Sequence, residues 1–383
     1  MKNVFRIMLI AAAASLFALP AYAQGAAAQT TASAQDEQAK ADLYAKFLQL
    51  IKGGAAEQKQ ASEVGKEYMN KYPSPATDAD KQIFDYIKNW VVRYDKAVRD
   101  YEFNTSLANK NYQRAFEIGR ELLAEQPDNV EVAITLARVA LANASDRAPN
   151  KSLYPESLRF TRTAVQLIES GKAPAKWEAP LNNRDEALGW FYFTQGLLTA
   201  ENSPAEAAGY FVKAAQANGA TKNQPATYFH LGNAYVKGDY AKAVNAYRAV
   251  FPEGKEITED LKPQYEQLIG QVNAVLDRII DAYARAIALS TKPDQAKFKA
   301  ELTNQLTEYH KARFENSTAA DVQTLINNVL SRPLPLPGQP VTTPAAASTT
   351  PASANAQTPA TTPASANDTK PAAAPPNNTK PRQ

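Results

Sequence analysis

The chain has 383 residues, with 42 basic against 39 acidic side chains, two histidines and no cysteine. Zero cysteine excludes disulfide frameworks, thiolate zinc sites, iron–sulfur clusters and cysteine nucleophiles together. Near-balanced charge gives no basis for nucleic-acid binding, which needs a concentrated basic surface. His230 and His310 alone leave little material for a histidine-rich metal centre, so composition leans against an enzyme.

Residues 1–23 read as a secretory signal. Lys2 and Arg6 make a positive start, Ile7 to Leu19 is an apolar run, and Ala21-Tyr22-Ala23 is a small-x-small cleavage site. A membrane anchor is the competing reading, but the run falls short of the roughly 18–20 apolar residues a spanning helix needs. No cysteine follows the leader, which excludes a lipoprotein anchor. Removing Lys2 and Arg6 leaves 40 basic against 39 acidic residues. An exported chain without cysteine fits a bacterial periplasm or exterior better than a eukaryotic secretory route. Residues 24–35 are expected to be a disordered mature N-terminus.

From about Asp36 to Ser331 the apolar residues recur at three and four, and no alternating strand pattern is convincing. Leu43, Phe47, Leu50 and Ile51 form one stripe. A longer one runs from Ile83 through Trp90 to Tyr101, and another from Tyr265 through Val275 to Ile287. Gly53-Gly54, Pro73-Ser74-Pro75, Pro127-Asp128-Asn129, Gly219 and Pro252 separate the stripes. Asp128 or Asn129, and Ser203 before Pro204, are suitable helix starts. The pattern predicts thirteen helices of unequal length.

Internal repeats point to the architecture. Ala61 to Pro73 aligns without a gap with Ala115 to Pro127, matching Ala, Glu, Gly, Glu and Pro, with Val64/Ile118 and Lys66/Arg120 near-equivalent. A second echo pairs Tyr192 with Tyr228, Gly196 with Gly232, Ala207 with Ala243 and Phe211 with Tyr247. Small residues at such points let helix backbones approach closely, with an aromatic filling the neighbouring gap.

Tyr228-x-x-Leu231-Gly232-x-x-Tyr235 followed by Ala243-x-x-x-Tyr247 resembles the tetratricopeptide repeat, and Leu231 to Tyr240 is especially similar. Ala115 to Pro127 resembles the second helix and closing proline of another unit, with Gly119 in place of the usual aromatic. The 235–243 turn is one residue short, Pro252 comes early, Asp146 to Ser152 looks like an insertion, and the helices near 78–105 and 258–290 are too long for standard units. The resemblance implies an all-α, right-handed superhelical solenoid of antiparallel helix pairs over residues 36–255. Residues 256–331 are then a helical cap or appended bundle, because a solenoid's last unit otherwise exposes apolar surface.

Residues 332–383 are expected to be a disordered tail. From Pro333 onward the segment holds 12 of the 25 prolines and no aromatic, and after Val341 it has no Val, Leu, Ile, Phe or Met to offset the entropy of ordering. Thr349 to Asn355 recurs as Thr361 to Asn367.

No phosphate-cradling glycine motif is present. His230 has no histidine or glutamate partner at helical spacing and reads as a packing or surface side chain. His310 reads as surface, since Glu308 two residues away does not face it. No cofactor or metal is expected. Trp190-Phe191-Tyr192-Phe193 covers every side of one helix turn, mainly for packing. Trp177, on the proline-bounded loop from Pro174 to Pro180, is a candidate recognition aromatic.

The repeat family binds peptides or protein segments along a concave helical face. The resemblance places Phe229, Asn233, Val236 and Lys237 on that groove, with the Asn233 amide available to a bound backbone. The Lys, Asn and Arg set of the family's carboxylate clamp cannot be assembled from this sequence. The expectation is a non-enzymatic protein–protein scaffold of the cell envelope, with a protein or peptide partner there. A structural spacer whose tail contacts the wall is the main alternative, and a carboxylate-based envelope hydrolase a distant one.

Overall fold

In the computed structural model, which describes residues 29–337 with side chains from residue 34, the apolar stripes form helices and no strand occurs among the described residues. The leader at 1–23 and residues 338–383 of the tail lie outside the described residues. The chain divides into two compact units, Met1–Tyr101 and Glu102–Gln383. This division differs from the expected boundary at 255/256.

The first unit is built from α1 (Gln29–Leu50), α2 (Ala55–Lys71) and the part of α3 (Asp78–Ala108) up to Tyr101. Helix α1 begins ahead of Asp36, so the expected disordered segment 24–35 is already helical from Gln29. Phe47 of α1, Ala61, Val64 and Tyr68 of α2, and Ile87 and Val91 of α3 close one core. The Trp90 indole stands edge-on to Phe47 at 5.3 Å and stacks on Tyr94 at 5.1 Å. Both belong to the long α3 stripe.

The second unit continues with α4 (Tyr112–Glu125), α5 (Val130–Ala144), α6 (Tyr154–Glu169), α7 (Arg184–Thr199) and α8 (Pro204–Gln216). Of the two alternatives read for the start of α5, Asp128 or Asn129, the cap is Asn129, while the caps of α4 and α7 were not singled out from sequence. Asn129 Oδ1 accepts from the Val132 amide at 3.2 Å, while Asn111 and Asn183 cap α4 and α7 in the same way. Ser203 precedes α8 without a side-chain cap bond, and Pro204 supplies the preset φ instead. The 54-residue echo is structural: α2 and α4 bury Ala61 and Ala115, Val64 and Ile118, and Gly65 and Gly119 in the same register.

Each helix from α4 to α8 packs on its successor, and α5 with α7, and α7 with α9, also touch across one intervening helix. Helix α9 (Pro225–Tyr235) covers the first half of the unit expected from sequence to be the most tetratricopeptide-like. The expected hairpin turn at 235–243 does not form. A π-helical turn (Val236–Tyr240) carries α9 directly into α10 (Ala241–Val250), with right-handed helical dihedrals at Tyr235, Val236, Tyr240 and Ala241. The segment is one residue short of the repeat's turn, and it runs on as helix through one π-helical turn instead of reversing.

Helix α11 (Lys262–Leu289) folds back along the whole 225–250 helix. Tyr265 near its start meets Tyr247 and Phe251 of the 247–251 end, at 6.0 and 5.6 Å between ring centres. Tyr283 near its end meets α9, so the two long helices are antiparallel. Helices α12 (Ala296–Arg313) and α13 (Ala319–Asn328) complete the unit, and α13 opens on a Thr318–Asp321 capping box. Residues of α5 to α9 and α11 to α13 share the largest core, so 256–331 is built into the body rather than appended to it.

The extended segment after α13 is tied down from inside the core. Arg285 donates to the carbonyls of Arg332 (2.8 Å) and Pro333 (2.9 Å), and its Nε donates to Asp281 at 2.6 Å. Leu334 and Leu336 pack against the main core beyond that point. The start of the segment expected to be a disordered tail is therefore an anchored strap.

Candidate interaction surface

The four residues placed on the groove by resemblance have divergent surroundings. Asn233 Oδ1 accepts from the Tyr283 hydroxyl at 2.7 Å, and Phe229 meets Phe298 of α12 edge-on at 5.2 Å and Tyr283 at 6.5 Å. Val236, in the π turn, is half-buried against the main core, and Lys237 is exposed. Helices α11 and α12 thus occupy the part of the α9 face that Phe229 and Asn233 were expected to hold open. Only Lys237 of the four projects into solvent.

Beside that contact runs an aromatic seam from α7 to α12. Trp190 meets Phe193 edge-on at 5.8 Å, and Phe193 meets His230 at 5.7 Å. His230 meets Phe229 at 5.4 Å, and Phe229 reaches Phe298. The His230 ring also stacks on Phe211 at 5.6 Å. Trp190, Phe229 and His230 are half-buried, while Phe193 and Phe211 are buried beneath them. The Trp190 Nε1–H is enclosed without a hydrogen-bond partner, a state that a buried polar group rarely keeps. Burial among these rings pushes the His230 pKa down to about 4, assisted by the positive charge of Lys237. His230 therefore stays neutral near pH 7, a packing imidazole.

Packing claims the rest of the aromatic turn. Phe191 is fully buried, and Tyr192 donates to Glu169 through its hydroxyl. Burial raises the Tyr192 pKa, and the hydrogen bond to the Glu169 carboxylate adds to that rise. Trp177 lies on a loop as expected, but its ring is half-buried against the main core. His310, expected at the surface, is buried: Nδ1 lies 2.6 Å from Ser317 Oγ and its ring tilts over Phe314. Burial lowers its pKa.

The Asp281–Arg285 pair was not singled out from sequence. Its signal was two opposite charges four apart inside an apolar seam, where they share one helix face. Among the described residues no group of three His, Asp or Glu side chains is arranged to hold a metal ion, and no helix is long and apolar enough to cross a membrane. The chain matches no protein family, curated protein or solved structure.

Proposed function

We propose that the chain is an exported, non-enzymatic scaffold of the cell envelope, with a tetratricopeptide-like body that binds a protein or peptide partner. The stacking of α5 on α7 and of α7 on α9, as well as on the helices between them, carries this reading. That pattern is how solenoids assemble helix pairs into an extended binding surface. Within this reading the half-buried Trp190 ring, at one end of the aromatic seam, offers ring area to a partner. The leader-like start at 1–23 supports export.

Crosslinking in the native envelope followed by partner identification tests the proposal. A stoichiometric partner should be recovered by the full chain and lost with Trp190→Ala at unchanged helical content. Recovery that depends only on residues 333–383 would favour the alternative of a structural spacer, a reading motivated by the repeated Thr-Thr-Pro-Ala-Ser-Ala-Asn motif. Turnover of wall or glycan substrates by purified protein would overturn both.

A further inference from the structure

A cavity of about 150 Å³ opens in the first unit, between the start of α1, the end of α2 and the start of α3. It is far larger than the roughly 10–15 Å³ that one water needs by the same kind of measure. Its walls carry three carboxylates, from Asp36, Glu37 and Asp80, against one ammonium, that of Lys40. Lys40 and Asp80 pair directly, and Asp80 is further fixed by the Thr77 hydroxyl and amide at 2.9 and 3.2 Å. The Asp36 and Glu37 carboxylates are more loosely engaged. Asp36 Oδ1 accepts from the Tyr72 hydroxyl at 3.3 Å, and Glu37 Oε2 stands 3.7 Å from Lys40 Nζ.

The residue that makes this a site is Tyr68. It is 1% exposed and lines the cavity, yet among the described residues its hydroxyl makes no hydrogen bond. The charges that act on its phenol, those of Lys40, Asp80 and Glu37, come from side chains that line the same cavity. Beside it the Tyr72 ring already faces a cation, with Lys40 Nζ 5.9 Å from its centre. The wall is net negative, which disfavours an anion. The carboxylates do not converge as a divalent-metal site would require.

We propose that this cavity binds a primary alkylammonium group, carried either by a free diamine or by a lysine side chain of a peptide. An ammonium has three N–H donors and no acceptor. The Tyr68 hydroxyl oxygen and the Asp36 and Glu37 carboxylates are three acceptors, and the Tyr72 ring attracts the charge through its face. The Phe84 and Pro75 side of the wall receives the alkyl chain.

Titration of the purified full chain with 1,4-diaminobutane, and separately with a blocked tripeptide carrying one central lysine, tests this by calorimetry at low salt. Saturable one-to-one binding is expected for at least one probe. It should weaken at least tenfold in Glu37→Gln and in Tyr68→Phe, both with unchanged thermal unfolding. The same tripeptide with norleucine in place of lysine should not bind. Tighter binding of the diamine identifies a small-molecule site, and tighter binding of the peptide a lysine-recognition site. No binding of either probe, or binding unaltered in both variants, would overturn the proposal. The outcome is independent of the scaffold reading, which rests on the second unit.

Discussion

Tyr283 of α11 covers Gly232 of α9: a Cβ built on Gly232 would lie within 2.5 Å of the ring carbon Cδ1 and nearer still to Cε1. The equivalent glycine one echo earlier, Gly196, is covered by Phe211 of the following helix, as the repeat pattern predicts. In the later unit α10 has continued straight on, and α11 supplies the aromatic in its place. Gly232→Ala should therefore cost about 1–3 kcal/mol through overpacking. Gly209→Ala, on α8 with nothing within 4 Å of the added carbon, should gain roughly 0.5–1 kcal/mol from helix propensity. Urea unfolding of the two variants checks both signs, and a stabilising Gly232→Ala would refute the close approach.

The helical class, the two long helices and the Asn129 cap were legible because amphipathic period and side-chain capping are local properties. The straight run from α9 to α10 was not. Gly238-Asp239 was the only turn signal between Tyr235 and Ala243, and a single glycine inside a helical pattern costs only about 1 kcal/mol. Gly238 has another use: a Cβ there would stand 3.0 Å from the Ala205 amide nitrogen at the start of α8. The cavity under Tyr68 was illegible for a different reason. Its walls come from three helices, and no local spacing encodes which carboxylates meet.

Because Asn233 is bonded to Tyr283 and Phe229 sits against Phe298, their removal should register as lost stability rather than as lost partner binding alone. Asn233→Ala leaves the buried Tyr283 hydroxyl without its acceptor and should cost about 1 kcal/mol. Phe229→Ala removes a half-buried ring worth roughly 1–2 kcal/mol. The α9 and α11 amides should lose hydrogen-exchange protection together. Lys237→Ala, on an exposed side chain, should leave stability within about 0.5 kcal/mol. An Asn233→Ala chain as stable as wild type would restore the open-groove reading of that face.

Asp281 and Arg285 form a buried pair that also holds two carbonyls of the C-terminal strap. Burial raises the Asp281 pKa despite the Arg285 charge beside it, so the pair is costly to keep ionised. Removing one partner strands the other, and Asp281→Ala should cost about 3–5 kcal/mol. Asp281→Leu combined with Arg285→Met should cost less than that single change, which a double-mutant cycle by urea unfolding reads directly. Arg285→Met should also speed protease cleavage near Pro333 while the α5–α8 core keeps its hydrogen-exchange protection. Equal cleavage rates would mean that Leu334 and Leu336 alone hold the strap.

His230 provides a pH signature of the aromatic seam. Its folded pKa of about 4 lies below its ordinary value of 6.5, so folding favours the neutral ring. The associated stability is fully present above pH 6.5, falls as the pH drops toward 4, and is gone below that. A shift of this size corresponds to on the order of 3 kcal/mol across the window. His230→Phe keeps a ring against Phe211 and Phe193 but cannot take a proton. Unfolding free energies of the two chains, measured from pH 7 to pH 4, should therefore diverge, with the wild type losing more. Parallel curves would show that His230 reaches water easily enough to titrate without disturbing the seam.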